Sequence, residues 1–314
     1  MKQKKVLVIS YSQTGQLTNL VNNFTKPLLE NSQIELFYKN IKPKKPYPFP
    51  WDFMTFMDTF PESVYLDPCE INEFEDDENE YDLIILSYQV WFLSPSIPIS
   101  SFLKSDWAKK KFKNKPVITL IGCRNMWVMA QEKMKVLLQD IEAKLIDNVV
   151  LIDKGHSLET SITTPVWMLS GKKEIQMFTK AGICPTQIEK SQRFGRALVQ
   201  ALEKDKEKEN KNLLYGLNAV NVNIKLLKSE KIGTKSFSIW GGWIRKLGKA
   251  GSSKRKPVVM LYLIFLLLMI VTVVPINMIV QTIIRKINKQ SVEKQKEFYE
   301  LPSGNGDERI KEFQ

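Results

Sequence analysis

The sequence is poor in the side chains that bind metals or form disulfide frameworks. It has a single histidine, and its three cysteines, Cys69, Cys123 and Cys184, lack any CxxC or metal-ligand spacing. A structural zinc site takes about four such ligands, so no metal is expected. The chain also lacks a secretory signal, because the apolar run at residues 6–9 is too short for one. We therefore expect the N-terminal part to lie in the cytosol with its thiols reduced.

Charged residues are absent from positions 257–284. A bilayer core of roughly 30 Å needs about 20 apolar helical residues, so this run predicts one transmembrane helix and is too short for two. A buried core helix is the alternative, but residues 261–274 have no polar face apart from Thr272. We expect a single-pass protein of the cytoplasmic membrane, with the polar tail at residues 285–314 outside.

Positive charge is concentrated just before that run. The chain carries 46 Lys and Arg against 34 Asp and Glu, and residues 213–256 hold ten of those cations and one acid, Glu230. Trp240 and Trp243 lie among them, a composition typical of a segment that binds anionic lipid. A nucleic-acid site is the alternative interpretation. The neighbouring apolar run favours the lipid bilayer as the partner, so no nucleic acid is expected.

Strand-like and helix-like segments alternate through the first 202 residues. Short apolar runs predict five strands, at residues 4–10, 34–38, 81–87, 116–122 and 148–152. Their alternation with amphipathic stretches predicts an α/β fold, a doubly wound parallel five-stranded sheet with helices on both faces. We divide the chain into a domain with a helical extension (1–202), a charged linker with the basic segment (203–256), the apolar helix (257–284) and the tail (285–314).

The first strand leads into a helix through Ser12, Gln13, Thr14, Gly15 and Gln16. Ligands of open α/β sheets bind at the carboxyl ends of the strands. Hydroxyls, a glycine and backbone N–H groups at a helix N-terminus suit a phosphate, although an ordinary helix cap uses the same residues. The segment resembles the FMN-phosphate loop of flavodoxins, in which a strand leads to x-Thr-Gly-x-Thr. Leu17 stands where that loop has threonine, and Ser10 stands where an aromatic residue is usual.

The third strand ends in a loop that is similar to that of flavin reductases. Its residues are Tyr88, Gln89, Val90 and Trp91, with Gln89 in place of the usual proline. The resemblance implies a flavodoxin-like domain in which Tyr88 and Trp91 stack on the flavin ring. Packing between the loop and the next helix is the alternative.

The fourth strand is followed by Cys123, Arg124, Asn125 and Met126. In flavodoxin-like proteins this loop flanks the ring, so the resemblance places its backbone N–H groups, with Arg124 or Asn125, at the pyrimidine edge of FMN. Arg124 is alternatively a ligand for a substrate oxygen or a partner of the acidic loop at residues 73–80. Beyond the sheet, Trp167 and Met168 either pack or help to cover the site as a lid.

Four longer sequence segments resemble a more specific family. Residues 48–51, 60–64, 88–98 and 124–127 together resemble the bacterial family of dialkylresorcinol condensing enzymes, over residues 1–200. Turning a cyclohexanedione into an aromatic resorcinol removes two electrons, which suits a flavin. The resemblance thus implies an FMN-dependent oxidoreductase acting on a hydrophobic ring, such as a quinone or a dialkylresorcinol precursor. It also implies a ketosynthase-type partner enzyme, and NAD(P)H is a candidate electron donor.

Two other functions stay open. The domain is alternatively a flavin-free scaffold that docks a partner at the membrane, since three positions depart from the flavin-binding pattern. It is alternatively a cofactor-free condensing enzyme in which Cys123 is the nucleophile. His156 follows the fifth strand and is a candidate catalytic residue that moves a proton at the substrate. A solvated loop position is the other interpretation of His156.

Overall fold

The computed structural model of the protein describes residues 3–153, 157–174 and 180–314, and a single parallel sheet lies at its centre. The strands are β1 (Lys4–Ser10), β2 (Ile34–Asn40), β3 (Leu83–Tyr88), β4 (Pro116–Cys123) and β5 (Lys144–Ile152). They lie in the order β2-β1-β3-β4-β5, and every neighbouring pair is parallel. This order is the flavodoxin-like doubly wound arrangement, which confirms the predicted fold class.

Burial explains why these runs form a parallel sheet. Every residue of β3 is buried, and β1 is buried from residue 6 to residue 10. A strand that is buried on both faces needs helices above and below it, and the crossovers of a parallel sheet supply them. The register places Val8 beside Tyr38 on one side and Ile85 on the other, so β1 runs through the middle of the core.

Helices cover the sheet and continue beyond it. They are α1 (Gln16–Leu29), α2 (Phe53–Asp58), α3 (Phe60–Tyr65), α4 (Ile97–Leu103), α5 (Asp106–Phe112), α6 (Val128–Asp140), α7 (Ser157–Ser170), α8 (Pro185–Lys190), α9 (Gln192–Glu203), α10 (Ile224–Lys246), α11 (Lys256–Ile287) and α12 (Lys289–Glu300). Short 3₁₀ turns lie at Lys206–Glu209, Ser253–Arg255 and Ile310–Glu312.

The helices α1 and α9 pack closely on one face of the sheet. Phe24 stacks on Phe194 with ring centroids 5.9 Å apart. Gly195 permits this approach, because a Cβ atom there would lie 2.3 Å from the carbonyl oxygen of Phe24. The apolar side chains Leu17, Leu20, Val21, Phe24 and Leu28 of α1 are buried, and the helix is therefore fixed with its N-terminus at the carboxyl edge of the sheet.

The segment expected to be a charged linker is packed against the domain. Glu207 is buried and pairs with Lys4 of β1, which neutralises its charge. The backbone N–H of Leu213 donates to the carboxylate of Asp147 at 2.6 Å. The N–H of Val150 donates to the carbonyl of residue 219 at 2.9 Å. Residues 204–223 thus cover the open edge of β5, which the division of the chain at residue 202 did not predict.

The helices α10 and α11 form a hairpin against the domain. The turn between them is held by Arg255, whose fully buried guanidinium donates to Glu62 at 2.7 and 3.0 Å and lies 2.9 Å from a carboxylate oxygen of Asp58. Farther along, Asn277 Nδ2 donates to Ser229 Oγ at 2.8 Å. The stretch Ser253–Asn277 is long and apolar enough to cross a membrane, and 12% of its apolar window is buried.

The tail returns to the sheet after α12. Ser303 Oγ donates to Asp147 at 2.6 Å and accepts from the N–H of Asn148 at 2.7 Å. The carboxylate of Glu300 accepts from the N–H of Val222 at 3.0 Å. This placement disagrees with the expectation that residues 285–314 lie across a membrane from the N-terminal domain. The physical reason is the buried carboxylate of Asp147, which needs donors and receives one from the tail.

Candidate functional site

A cavity of about 130 Å³ lies at the carboxyl edge of the sheet, where the ends of β1, β3 and β4 meet. The strand order reverses at β1, and ligands of doubly wound sheets bind at such a point. Residues of all three predicted loops line the cavity, together with two later segments. The lining side chains include Gln13, Thr14, Gln16, Gln89, Val90, Trp91, Cys123, Arg124, Asp153, Thr164, Trp167 and Met168.

The first loop has the geometry of an anion cradle. Gly15 caps α1 in the left-handed conformation, with φ of 78°, and a Cβ atom built there meets nothing within 4 Å. The N–H of Gln16 lies 3.5 Å from Thr14 Oγ1, and the N–H of Thr18 lies 3.4 Å from Ser12 Oγ. Both distances are at the long limit for a hydrogen bond. Weakly held N–H groups at a helix N-terminus attract an anion, and the space at Gly15 leaves room for one.

Aromatic rings fix the orientation of Trp91. Tyr47, Trp51 and Tyr11 pack edge-on against it, with ring centroids 5.0, 5.6 and 5.9 Å away. Trp91 Nε1 donates to Gln89 Oε1 at 3.4 Å. The indole is therefore held as one apolar wall of the cavity. Sequence reasoning missed Tyr47 and Trp51, and the available signal was the mixture of aromatic residues and prolines just before α2.

Tyr88 does not line the cavity. Its side chain is fully buried, and its hydroxyl donates to Gln131 Oε1 of α6 at 2.7 Å. Gln131 Nε2 in turn donates to Thr119 Oγ1 of β4 at 3.1 Å. Successive side chains of a strand point to opposite faces, and Tyr88 lies on the face that α6 covers. This position counts against the predicted stacking of Tyr88 on a flavin.

Arg124 shares the cavity with an acid that sequence reasoning did not single out. Burial lowers the pKa of the Arg124 guanidinium, and the nearby carboxylate of Asp153 acts in the opposite direction. Asp153 also accepts from the N–H of Gly182 at 2.8 Å, and its own N–H donates to the carbonyl of Cys123 at 3.0 Å. The acid that interacts with Arg124 is thus Asp153, at the end of β5. Only the parallel pairing of β4 with β5 brings the two together.

The other residues of the third loop have different surroundings. Asn125 Oδ1 accepts from the N–H of Met126 at 2.9 Å, so this amide stabilises the turn, and neither residue lines the cavity. Cys123 does line it. Burial, with a smaller contribution from the carboxylate of Glu230, raises the pKa of the Cys123 thiol well above its usual range. A thiol that stays protonated is a poor nucleophile, which counts against the condensing role of Cys123.

The helix α7 covers the cavity. Thr164, Trp167 and Met168 line its outer side. Phe49 packs edge-on against Trp167 at 6.1 Å, and Lys173 Nζ lies 4.7 Å from the centre of the indole. The carbonyl of Met168 accepts from the N–H of Trp51 at 2.8 Å. The helix α7 therefore both packs against the aromatic residues around Trp51 and covers the cavity.

His156 lies outside the described residues, so its role in proton transfer stays a prediction. Among residues 3–153, 157–174 and 180–314, no group of three or more His, Cys, Asp or Glu side chains is arranged to hold a metal ion.

Comparison with known proteins gives structural similarity at low sequence identity. A flavoprotein from Lactobacillus acidophilus, solved in complex with FMN, is 21% identical; the match covers 47% of this chain and 93% of that one, with a TM-score of 0.38. A flavodoxin from an archaeon is 8% identical over 64% of this chain and 99% of its own, with a TM-score of 0.33. Flavodoxin 1 from Bacillus cereus is 16% identical over 53% and 97%, with a TM-score of 0.30. No protein-family model and no curated protein matches the chain. The fold assignment rests on the strand order.

Proposed function

We propose that this chain is an FMN-dependent oxidoreductase that works at a membrane on a hydrophobic ring substrate. The observation that carries the proposal is the meeting of three loops at the reversal point of the sheet, with the open N-terminus of α1 on one side and Trp91 on the other. An apolar wall beside an anion cradle suits a ligand that has a flat ring at one end and a phosphate at the other.

The residues of the first loop fit the phosphate of FMN. Two N–H groups of the first helical turn are held by long bonds to Ser12 and Thr14, which a stronger acceptor would replace. Leu17, which departs from the flavodoxin pattern, is buried and lines the cavity instead of offering a hydroxyl. The loss of one neutral hydrogen bond costs about 1 kcal/mol, a small part of the binding energy of a dianion.

Side chains of α7 occupy part of the space that the flavin ring of FMN would need. A cavity of about 130 Å³ is well below the roughly 300–1,000 Å³ of ordinary small-molecule sites. We infer that α7 moves outward when FMN binds and that Trp167 and Met168 then lie at the rim. Arg124 would hold a ring oxygen or nitrogen, with Asp153 fixing the orientation of the guanidinium.

FMN, when bound, supplies two-electron transfer to or from an organic ring. The protein would orient that ring with Trp91, exclude water with the aromatic cluster around Trp51, and stabilise negative charge with Arg124. A quinone or a dialkylresorcinol precursor, aromatised by oxidation, would be a substrate of suitable polarity. NAD(P)H as electron donor and a ketosynthase-type enzyme as partner belong to the same proposal.

The test is the visible absorption of the full chain in detergent, titrated with FMN. Thr14→Glu would put a carboxylate in the loop that is proposed to hold the phosphate, and two unit charges about 5 Å apart repel by about 3 kcal/mol at an effective dielectric constant of about 20. We expect FMN affinity to fall more than 100-fold. Gln33→Glu is the matched control, since this exposed residue precedes β2 at the opposite edge of the sheet.

The outcomes separate the alternatives. Flavin bands that persist after desalting, and that Thr14→Glu but not Gln33→Glu abolishes, support the proposal. Trp167→Ala should then increase the affinity, because it removes a side chain from the ring position. If neither the parent chain nor Trp167→Ala binds FMN, the flavin-free scaffold becomes the better hypothesis. Activity without flavin that disappears in Cys123→Ala would instead support the condensing enzyme.

A further inference from the structure

The helix α11 has two faces of different character. Val259, Tyr262 and Asn277 face the protein and are buried. Most other described side chains of the helix are apolar and exposed, Ile270 and Val280 among them, and the opposite face carries Leu261, Ile264, Leu268, Val271, Ile279 and Ile283. Their spacing places them within one stripe along the helix, which we call the α11 stripe. Exposed side chains of this size are found singly on soluble proteins, but a continuous row marks a surface that is covered by a partner.

The helix α10 widens this apolar surface. Ile239, Trp243 and Leu247 are exposed at spacings of four residues, on one side of α10 near the turn. Lys249 and Lys254 in the turn itself are exposed to solvent. An apolar face with tryptophan at its border and lysines around it is typical of a segment that lies in the headgroup region of an anionic bilayer.

The residue that precedes α11 and the tail beyond α12 both contact the soluble domain, and the later part of α11 contacts α10. At its beginning, Arg255 is buried between Glu62 and Asp58. Near its end, Asn277 is bonded to Ser229, and the tail beyond α12 reaches Asp147 through Ser303. A helix of 32 residues is about 48 Å long, more than the thickness of a hydrocarbon core. If α11 crossed a bilayer, these two sets of contacts would lie on opposite sides of it.

We propose that the α10–α11 hairpin binds one leaflet of an anionic bilayer and lies in the plane of its surface. The N-terminal domain and the tail are then on the same side. This inference rests on the membrane attachment in the proposed function, but it is independent of flavin binding. In this arrangement α11 is attached to one side of the membrane and does not cross it.

The charge distribution favours lipid over a second copy of the chain. Lys254 and Lys256 are exposed at the start of α11, and Lys289 is exposed just after its end. A two-fold pairing of α11 stripes would bring cations opposite cations whether the helices ran parallel or antiparallel. Anionic lipid headgroups, in contrast, would attract the lysines at both ends of α11.

The first experiment labels the tail in intact cells and in inside-out membrane vesicles with a maleimide that does not cross membranes. The parent has Cys69 and Cys123 replaced by serine, which leaves the exposed native Cys184 on the domain as the reporter. In the second chain Cys184→Ser is combined with Lys311→Cys. We expect both chains to be labelled in inside-out vesicles and neither in intact cells. Labelling of residue 311 only in intact cells, with Cys184 labelled only in vesicles, would establish a crossing and overturn the proposal.

The second experiment measures flotation of the purified chain with vesicles of phosphatidylglycerol or phosphatidylcholine. Leu268→Glu and Val271→Glu alter the α11 stripe, whereas Leu29→Glu and Val136→Glu alter equally exposed aliphatic residues elsewhere. Because each stripe variant replaces an aliphatic side chain that would be buried in lipid with a charged one, it should partition at least tenfold less, and the controls should equal the parent. The anionic vesicles should bind more protein. Equal partition of stripe variants and controls, or a dimer that does not float, would refute the in-plane hairpin.

Discussion

Replacing Glu230 with glutamine should remove a pH dependence of stability that the fold creates. Glu230 is the one acid in the basic segment, and it is buried where α10 meets α6. Its carboxylate accepts from the N–H of Met129 at 2.6 Å, in the first turn of α6. Burial outweighs these hydrogen bonds and raises the pKa of Glu230 to about 7 from its ordinary value of 4.5.

The sign follows from proton binding. Between pH 4.5 and about 7 the folded state keeps a proton on Glu230 that the unfolded state has lost. The contribution of Glu230 to stability is therefore fully present below pH 4.5 and decreases as pH rises through this window, by about 1.4 kcal/mol per pH unit. The shift amounts to a loss on the order of 3 kcal/mol. Asp147 adds a second contribution of the same sign, because burial raises its pKa to about 7 from 3.8.

The assay is urea unfolding of the full chain in a mild detergent at pH 5.0, 6.0 and 7.5, with tryptophan fluorescence as the signal. Glu230→Gln keeps the shape of the side chain and should reduce the decrease in unfolding free energy between pH 5.0 and 7.5 by about half. Asp147→Asn should reduce the part of this decrease that Glu230→Gln leaves unchanged. The exposed Glu189→Gln is the control and should behave as the parent. If the unfolding free energy of Glu230→Gln decreased with pH as steeply as that of the parent, the argument that burial raises the pKa of Glu230 would be refuted.

Two further predictions concern packing. Arg255→Met should lower the unfolding free energy by about 1.5–3 kcal/mol, since it leaves the partly exposed carboxylate of Glu62 without its charged hydrogen-bond donor. The exposed neighbour Lys254→Met should change it by less than about 0.5 kcal/mol. Equal effects of the two variants in chemical denaturation would contradict this role of Arg255. Gly195→Ala should destabilise the domain by about 1–3 kcal/mol, because its Cβ would lie 2.3 Å from the carbonyl of Phe24. A melting temperature unchanged by Gly195→Ala would show that α1 and α9 are farther apart.

Much of the fold could be predicted because the signals are local. Each strand of the sheet is a short, mostly apolar run, and each was predicted within a few residues of its observed bounds. The largest error is at the start of β5, which begins at Lys144 and not at residue 148. The pattern misled there because Asp147 is charged, yet it is buried at 0% exposure and bonded to Leu213 and Ser303. A buried acid with distant donors cannot be distinguished from a solvated one by its neighbours in sequence.

The same limit applies to the candidate site. The three loops were found from residue types that suit a phosphate or a ring, and the parallel sheet brings them to one edge. The face on which Tyr88 lies was not predicted, because a shift of one residue in a strand exchanges the two faces of the sheet. Asp153, Tyr47 and Trp51 were missed for a related reason. Their place beside Arg124 and Trp91 depends on contacts between segments that are far apart in the chain.

The class of fold, the loops at the carboxyl edge and the long apolar helix near the C-terminal end could all be predicted from the order of the residues. These properties follow from hydrophobic periodicity and from runs of similar residues, which act over a few neighbours. The attachment of α11, in contrast, depends on contacts between distant segments of the folded chain. The pairing of Ser303 with Asp147, 156 residues away, places the tail beside the sheet, and no local pattern encodes a contact at that separation.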